Sequence, residues 1–249
     1  MKLLPSLLLT CLVSVSLSAT ADDTSQRAAD IIKEMEDLYR GESSKGSLTM
    51  RIETPQYERT LELTTRNMGE DAAFIRILAP RKDRGIATLR LEKEMWNFFP
   101  KINKVIKVPP SMMMGSWMGS DFTNDDLVQQ TELTEEYELS LNETEAHYEI
   151  TLTPREDTVT VWGKIEYVID RKRMIPVREV FYDEDGTMVR RLEFKDIREF
   201  DGRLLPSTLE MIPLNKENHR TVVTYESLQF DPDDVSDEDF TLRALKSRF

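Results

Sequence analysis

The chain has little of the residue chemistry on which most enzymes and metal sites rest. Among 249 residues there is one cysteine, Cys11, and there are two histidines, His147 and His219. Neither histidine belongs to an H-x-x-H or H-E-x-x-H spacing, so no zinc site is expected. No G-x-S-x-G elbow and no phosphate-cradling glycine loop is present, which removes the commonest hydrolase and nucleotide-binding signatures. Positive charge is short as well. Lys+Arg 33 against Asp+Glu 46 gives a formal net charge of -13. Such a balance speaks against a nucleic-acid binder, and it disfavours attachment to anionic lipid through a polybasic patch.

The acids themselves carry no clear site. Glu135-Glu136 and Asp233-Asp234 read as solvated turn carboxylates. The run from Asp231 to Asp239 lacks the glycine and ligand spacing of a calcium loop. Asn142-Glu143-Thr144 matches a glycosylation sequon, which means little in a bacterial setting. No metal, no cofactor and no catalytic residue is expected.

Long hydrophobic runs are missing beyond the N-terminus. Lys2, the apolar stretch Leu3 to Leu17 and the small-residue site Ala19-Thr20-Ala21 read as a secretory signal cleaved after Ala21. The stretch is short and serine-rich for a membrane span of about 30 Å. Lipidation at Cys11 is disfavoured by the ten residues before it and by Thr10 at the preceding position. Cleavage removes Lys2 and Cys11, leaving a mature chain, residues 22–249, that is more acidic and has no thiol. A domain of this length can fold without disulfide staples, and the pattern fits a periplasmic protein.

The mature chain reads as one domain. Ala28, Ile31, Ile32, Met35, Leu38 and Tyr39 form an apolar stripe that predicts a helix over Thr24 to Arg40, ended by Gly41. From Ser47 the period changes to two. Alternating segments follow at Leu48 to Glu53, Thr60 to Thr64, Ala72 to Leu78, Ile86 to Leu91, Glu94 to Phe99 and Ile102 to Val108. They resume at Tyr137 to Leu141, Ala146 to Thr153, Trp162 to Ile169, Val177 to Tyr182, Thr187 to Phe200, Leu204 to Ile212 and Arg220 to Phe230. Asp185-Gly186 and Asp201-Gly202 are hairpin signals. The expectation is a mainly β fold with a few helices, whose single antiparallel sheet of about eleven strands must curl or be covered.

Between the two blocks lies an irregular stretch. Met112, Met113, Met114 and Met118 fall within seven residues, beside Trp117 and Phe122, with Gly115 and Gly119 weakening any helix. Methionine repacks around irregular apolar shapes and is frequent at adaptable binding surfaces. The stretch reads either as a mobile lid over an apolar cavity or as a plug that completes the core. Asn124-Asp125-Asp126 predicts the capped start of a short helix through Gln130.

Two runs are specific enough to place the chain in a family. Trp96-Asn97-Phe98-Phe99-Pro100-Lys101-Ile102-Asn103-Lys104-Val105, followed by Met118-Gly119-Ser120-Asp121-Phe122-Thr123-Asn124-Asp125-Asp126-Leu127, resembles the LolA-like outer-membrane lipoprotein-sorting protein family. Asp170-Arg171 before Pro176 and Gly202-Arg203-Leu204-Leu205-Pro206 agree, and the resemblance covers about residues 24–249. It implies a sheet curled into an incomplete barrel, with helices and the Met-rich segment over its concave face. It also implies a periplasmic, non-enzymatic carrier of lipoprotein or lipid acyl chains between inner and outer membranes, often associated with an exporter of the resistance-nodulation-division type.

A cavity lined by Phe74, Trp96 and Phe98 from strands, with Met112, Met113, Met114, Trp117, Met118 and Phe122 from the irregular stretch, is the expected ligand site. Two other readings compete with it. One is an accessory subunit of a membrane exporter that carries no lipid; the other is a hydrolase, which would need a histidine beside a nucleophile and a carboxylate.

Overall fold

The computed structural model describes residues 18–127, 136–158 and 160–247. Helix α1 (Ser18–Arg40) opens the described chain. It begins earlier than Thr24 because Ser18 to Asp23 holds neither glycine nor proline to stop it. Residues 1–17 of the expected signal lie outside the described residues. A cut after Ala21 would remove only the helix start, since the buried stripe begins at Ala28.

Thirteen strands rather than eleven follow, because each alternating segment finds a partner. They are β1 (Ser43–Glu53), β2 (Glu58–Met68), β3 (Ala72–Ala79), β4 (Ala87–Leu91), β5 (Glu94–Phe99), β6 (Lys104–Lys107) and β7 (Tyr137–Glu143). Then come β8 (His147–Pro154), β9 (Lys164–Asp170), β10 (Ile175–Tyr182), β11 (Met188–Phe200), β12 (Arg203–Pro213) and β13 (Arg220–Phe230). Helix α2 (Leu242–Leu245) closes the described chain.

All thirteen belong to one sheet in the order β6-β5-β4-β3-β2-β1-β13-β12-β11-β10-β9-β8-β7, and every pair is antiparallel. The sheet is not closed into a barrel, since β6 and β7 are its two edges. The order is two meanders running outward from a seam where β1 pairs with β13. The chain leaves β6 at one edge and re-enters at β7, the other edge, so a crossing link joins the two; its described part, up to Leu127, lies over the inner face.

Strand parity sorts the side chains onto two faces. On the inner face, Ala28, Ile31, Ile32 and Met35 of α1 bury against Tyr137, Leu139, Ile150, Ile165 and Tyr167. Leu48, Met50, Leu61, Leu63 and Ile77 on the same face receive Trp117 from the crossing link. On the outer face, Phe240 and Leu245 from the C-terminal segment cover Phe74, Ala87, Leu89 and Phe98. Around β3 to β5 the sheet is therefore buried on both faces, by different parts of the chain.

The acidic residues beyond β13 hold that last segment in place. Asp231 accepts hydrogen bonds from the backbone N–H of Glu42 and Ser43. Asp234 pairs with Lys45, and Asp239 accepts from Arg66 at 2.8 Å. These carboxylates serve the fold. Among the described residues no group of three or more His, Cys, Asp or Glu is arranged to hold a metal, and no helix is long and apolar enough to cross a membrane.

Candidate functional site: an inner-face cavity closed by the crossing link

A cavity of about 330 Å³ lies between the inner face, α1 and the crossing link. Met35 of α1, Leu48 and Met50 of β1, Leu63 of β2, Ile75 of β3 and Met95 of β5 line one side. Ile165, Phe181, Leu192, Leu209, Met211 and Val223 line the other. Trp117, Phe122, Asp126 and Leu127 close it from the link. The lining is mostly apolar, and its size falls at the lower end of the roughly 300–1,000 Å³ range of ligand pockets.

The link is held by specific hydrogen bonds. Trp117 is 2% exposed, and its indole Nε1–H donates to Thr88 Oγ1 at 3.1 Å. The next two residues make a tight reversal. Met118 and Gly119 have φ of 52° and 80°, and Ser120 N donates to Trp117 O at 2.9 Å. Two consecutive positive φ values are the pattern of a mirror-image turn, which explains a glycine at the second position. Asp121 N donates to Thr221 Oγ1 at 2.9 Å, and that hydroxyl donates to Asp121 Oδ2 at 2.8 Å. Arg59 donates to Met118 O, and Asn124 Nδ2 donates to the carbonyls of Met112 and Gly115. The MGSDF run is therefore a turn pegged to β2, β4 and β13.

The helix expected from Asn124 is a 3-10 turn over Asp125–Leu127, and residues 128–130 lie outside the described residues. Its cap is Thr123 rather than Asn124. Thr123 N donates to Asp126 Oδ2 at 2.7 Å while Asp126 N donates to Thr123 Oγ1 at 3.1 Å, a reciprocal cap.

The strongest tether is Asp126 itself. Its carboxylate takes both arms of the Arg190 guanidinium, with Nη1 to Oδ2 at 2.7 Å. Arg190 is 5% exposed and lies 4.1 Å over Phe181 and 4.5 Å over Trp162. A bidentate, ring-backed pair of this kind fixes the link to β11.

Polar groups gather at this end of the cavity. Tyr167, Glu179 and Glu36 join Asp126 in the lining. Burial pushes the Glu179 carboxyl up to about 8, although the hydrogen bond from Tyr167 and the charge of Arg190 favour its ionised form; the charges of Asp126 and Glu36 add to the rise. The carboxyl is therefore mainly neutral at pH 7. Glu179 retains some surface because it faces the cavity and not bulk water. Burial, followed by the neighbouring Asp126 charge, raises Asp125 to about 6.

The residues expected to line a site divide sharply. Trp117 and Phe122 face the cavity. Phe74, Trp96 and Phe98 do not, because β3, β4 and β5 pair so that Phe74, Leu89 and Trp96 lie in line on the outer face, under Phe240 and Leu245. Their neighbours of opposite parity, Ile75 and Met95, line the cavity instead. Met112 and Met114 are exposed at 59% and 39%. Met113 is half-buried outside the lining, and Met118 packs on the inner-face core beside it. The cover over the inner face is thus Trp117 to Leu127, and the methionine triplet stays on the outside of the link.

Sequence reasoning missed Arg190, Glu179 and Thr88. Each sits in an ordinary alternating strand, and its meaning comes from partners on other segments, Asp126 for Arg190, Tyr167 for Glu179 and Trp117 for Thr88. The histidines lie at opposite ends of the sheet. His147 stands at the β7–β8 turn, and His219 Nδ1 is 3.0 Å from Glu217 O at the β12–β13 turn.

The model of a family described as uncharacterized-protein-like matches residues 69–247. No curated protein matches the chain. Among solved structures, a DUF1329 family protein from Desulfovibrio piger is similar at 20% identity, with a TM-score of 0.81 over 89% of this chain and 99% of that one. An outer membrane lipoprotein-sorting protein domain from Vibrio parahaemolyticus gives 20% identity and a TM-score of 0.77 over 90% and 100%. A LolA superfamily protein from Nitrosomonas europaea gives 18% and 0.71 over 87% and 98%. The chain belongs to the family whose model spans its residues 69–247, and its fold is that of the LolA-like lipoprotein-sorting proteins.

Proposed function

We propose that this chain is a periplasmic carrier that shelters an acyl chain of a lipid or lipoprotein on its way between membranes, without catalysing a reaction. The observation that carries the reading is the mostly apolar cavity between the sheet, α1 and the crossing link. Water penalises an exposed hydrocarbon tail by about 0.8 kcal/mol per CH₂, so a long tail needs on the order of 10 kcal/mol of shelter. An interior lined by aliphatic side chains supplies it. The lipoprotein-sorting fold supports the same role, and the cleavable signal accounts for the compartment.

Displacement of a fluorescent fatty acid from the mature chain tests the reading. Saturable binding is expected, weakened at least tenfold in Ile75→Trp, which fills the cavity from a half-buried position, and in Trp117→Asp, which removes part of its cover. Circular dichroism checks that both variants fold. A folded wild-type chain that shows no saturable binding would reject the carrier reading.

A further inference from the structure

Beyond residues 1–21, which hold no acid, the acidic character of the chain has one long interruption. From Met95 to Ser120 there is no aspartate or glutamate, although the chain holds 46 of them. The same run contains Lys101, Lys104 and Lys107. It forms β5, a 3-10 turn over Pro100–Ile102, the edge strand β6 and the first part of the crossing link. Ile102, Ile106, Met112 and Met114 are exposed here at 58%, 45%, 59% and 39%. Lys101 and Lys104 are exposed beside Ile102 and Ile106 in the hairpin, while Lys107 pairs with Glu94 and lies 5.6 Å over Trp96.

The neighbouring hairpin adds to this end. Antiparallel order brings the β3–β4 turn to the same end of the sheet as the β5–β6 turn. It carries exposed Arg81 and Lys82, and its one acid, Asp83, is occupied by Arg59 at 2.8 Å.

Edge protection accounts for part of the pattern only. Lysines on a short edge strand deter pairing with another sheet, but glutamates would do so equally, and neither explains four exposed large apolar side chains within one run. Exposed Ile102 and Ile106 flanked by Lys101 and Lys104 match a surface that offers anionic headgroups above hydrocarbon.

We propose that the β5–β6 hairpin, with the β3–β4 turn beside it, docks the protein on an anionic phospholipid bilayer. Ile102 and Ile106 enter the interface, and Lys101, Lys104, Arg81 and Lys82 meet the phosphates. The net charge of the whole chain opposes this attachment, so it is local and reversible. The inference stands apart from the carrier reading, because it uses no cavity residue.

Flotation of the mature chain with vesicles is the test. Binding is expected to vesicles of phosphatidylglycerol mixed with phosphatidylcholine and not to phosphatidylcholine alone. It should vanish in about 1 M salt, where the screening length falls to roughly 3 Å. Each basic group near such a surface strengthens attachment about fivefold, so Lys101→Glu/Lys104→Glu should weaken binding at least 25-fold by order of magnitude. Ile102→Ser/Ile106→Ser should weaken it with little change in salt dependence. Equal binding to both vesicle types, binding to neither, or binding unchanged in both double variants would overturn the proposal; binding to neither would leave an acidic protein as the fitting partner. Fatty-acid displacement should be unaltered in these variants, so the two readings fail separately.

Discussion

Glu179 concentrates the electrostatics of the cavity in one proton. Its folded carboxyl titrates near 8, above its ordinary 4.5, chiefly through burial. The folded chain therefore holds a proton that the unfolded chain releases, and this group weakens stability as pH rises from about 4.5 through about 8. Glu179→Gln keeps the neutral hydrogen-bonding shape and has nothing to ionise. Its melting temperature should fall less than that of the wild type between about pH 6 and 9; parallel pH profiles would contradict the assignment. Arg190 is the second decisive residue. Arg190→Ala strands Asp126 beneath the link with no counter-charge, and breaking a buried pair costs about 3–5 kcal/mol. Denaturant titration should show a loss of that order, with fatty-acid affinity falling as the link loosens. Neither residue stood out in the sequence, because an acid and an arginine in alternating strands look like solvent-facing positions until Tyr167, Trp162 and Phe181 arrive from elsewhere in the chain.

Elements were legible where one face decided them. The α1 stripe predicted the burial of Ala28, Ile31, Ile32 and Met35, with Leu38 half-buried against a separate cluster, and each alternating segment became a strand. Parity was the obscure part. In β3 and β5 both faces are covered, so Phe74 and Ile75 are equally apolar and alternation alone cannot say which looks inward. The answer depends on α2 and Phe240, which occupy the outer face from nearly the far end of the chain. Leu245 is fully buried there, and Arg76 donates to the carbonyls of Ala244 and Ser247. Leu245→Ala should cost about 2–5 kcal/mol in a denaturation experiment. Fatty-acid affinity should stay as in the wild type, because the sheet separates the two sites. A matching loss of affinity would place the ligand on the outer face after all.

For the whole molecule, sheet order governs where function can sit. Two meanders that run outward from β1 and β13 end in the edge strands β6 and β7, and the described part of the link between them, up to Leu127, lies over the inner face as a cover. The mirror-image turn at Met118-Gly119 and the tether through Asp126 then decide how firmly it rests. The order has a further consequence for the timing of assembly. The seam joins the first strand to the last, so until residues 220–230 have been synthesised, β1 and β12 each present an unpaired ladder to their surroundings. Such a chain has to be finished before it can close its sheet, and in the interval it is open to capture by any chaperone or protease that recognises a naked strand.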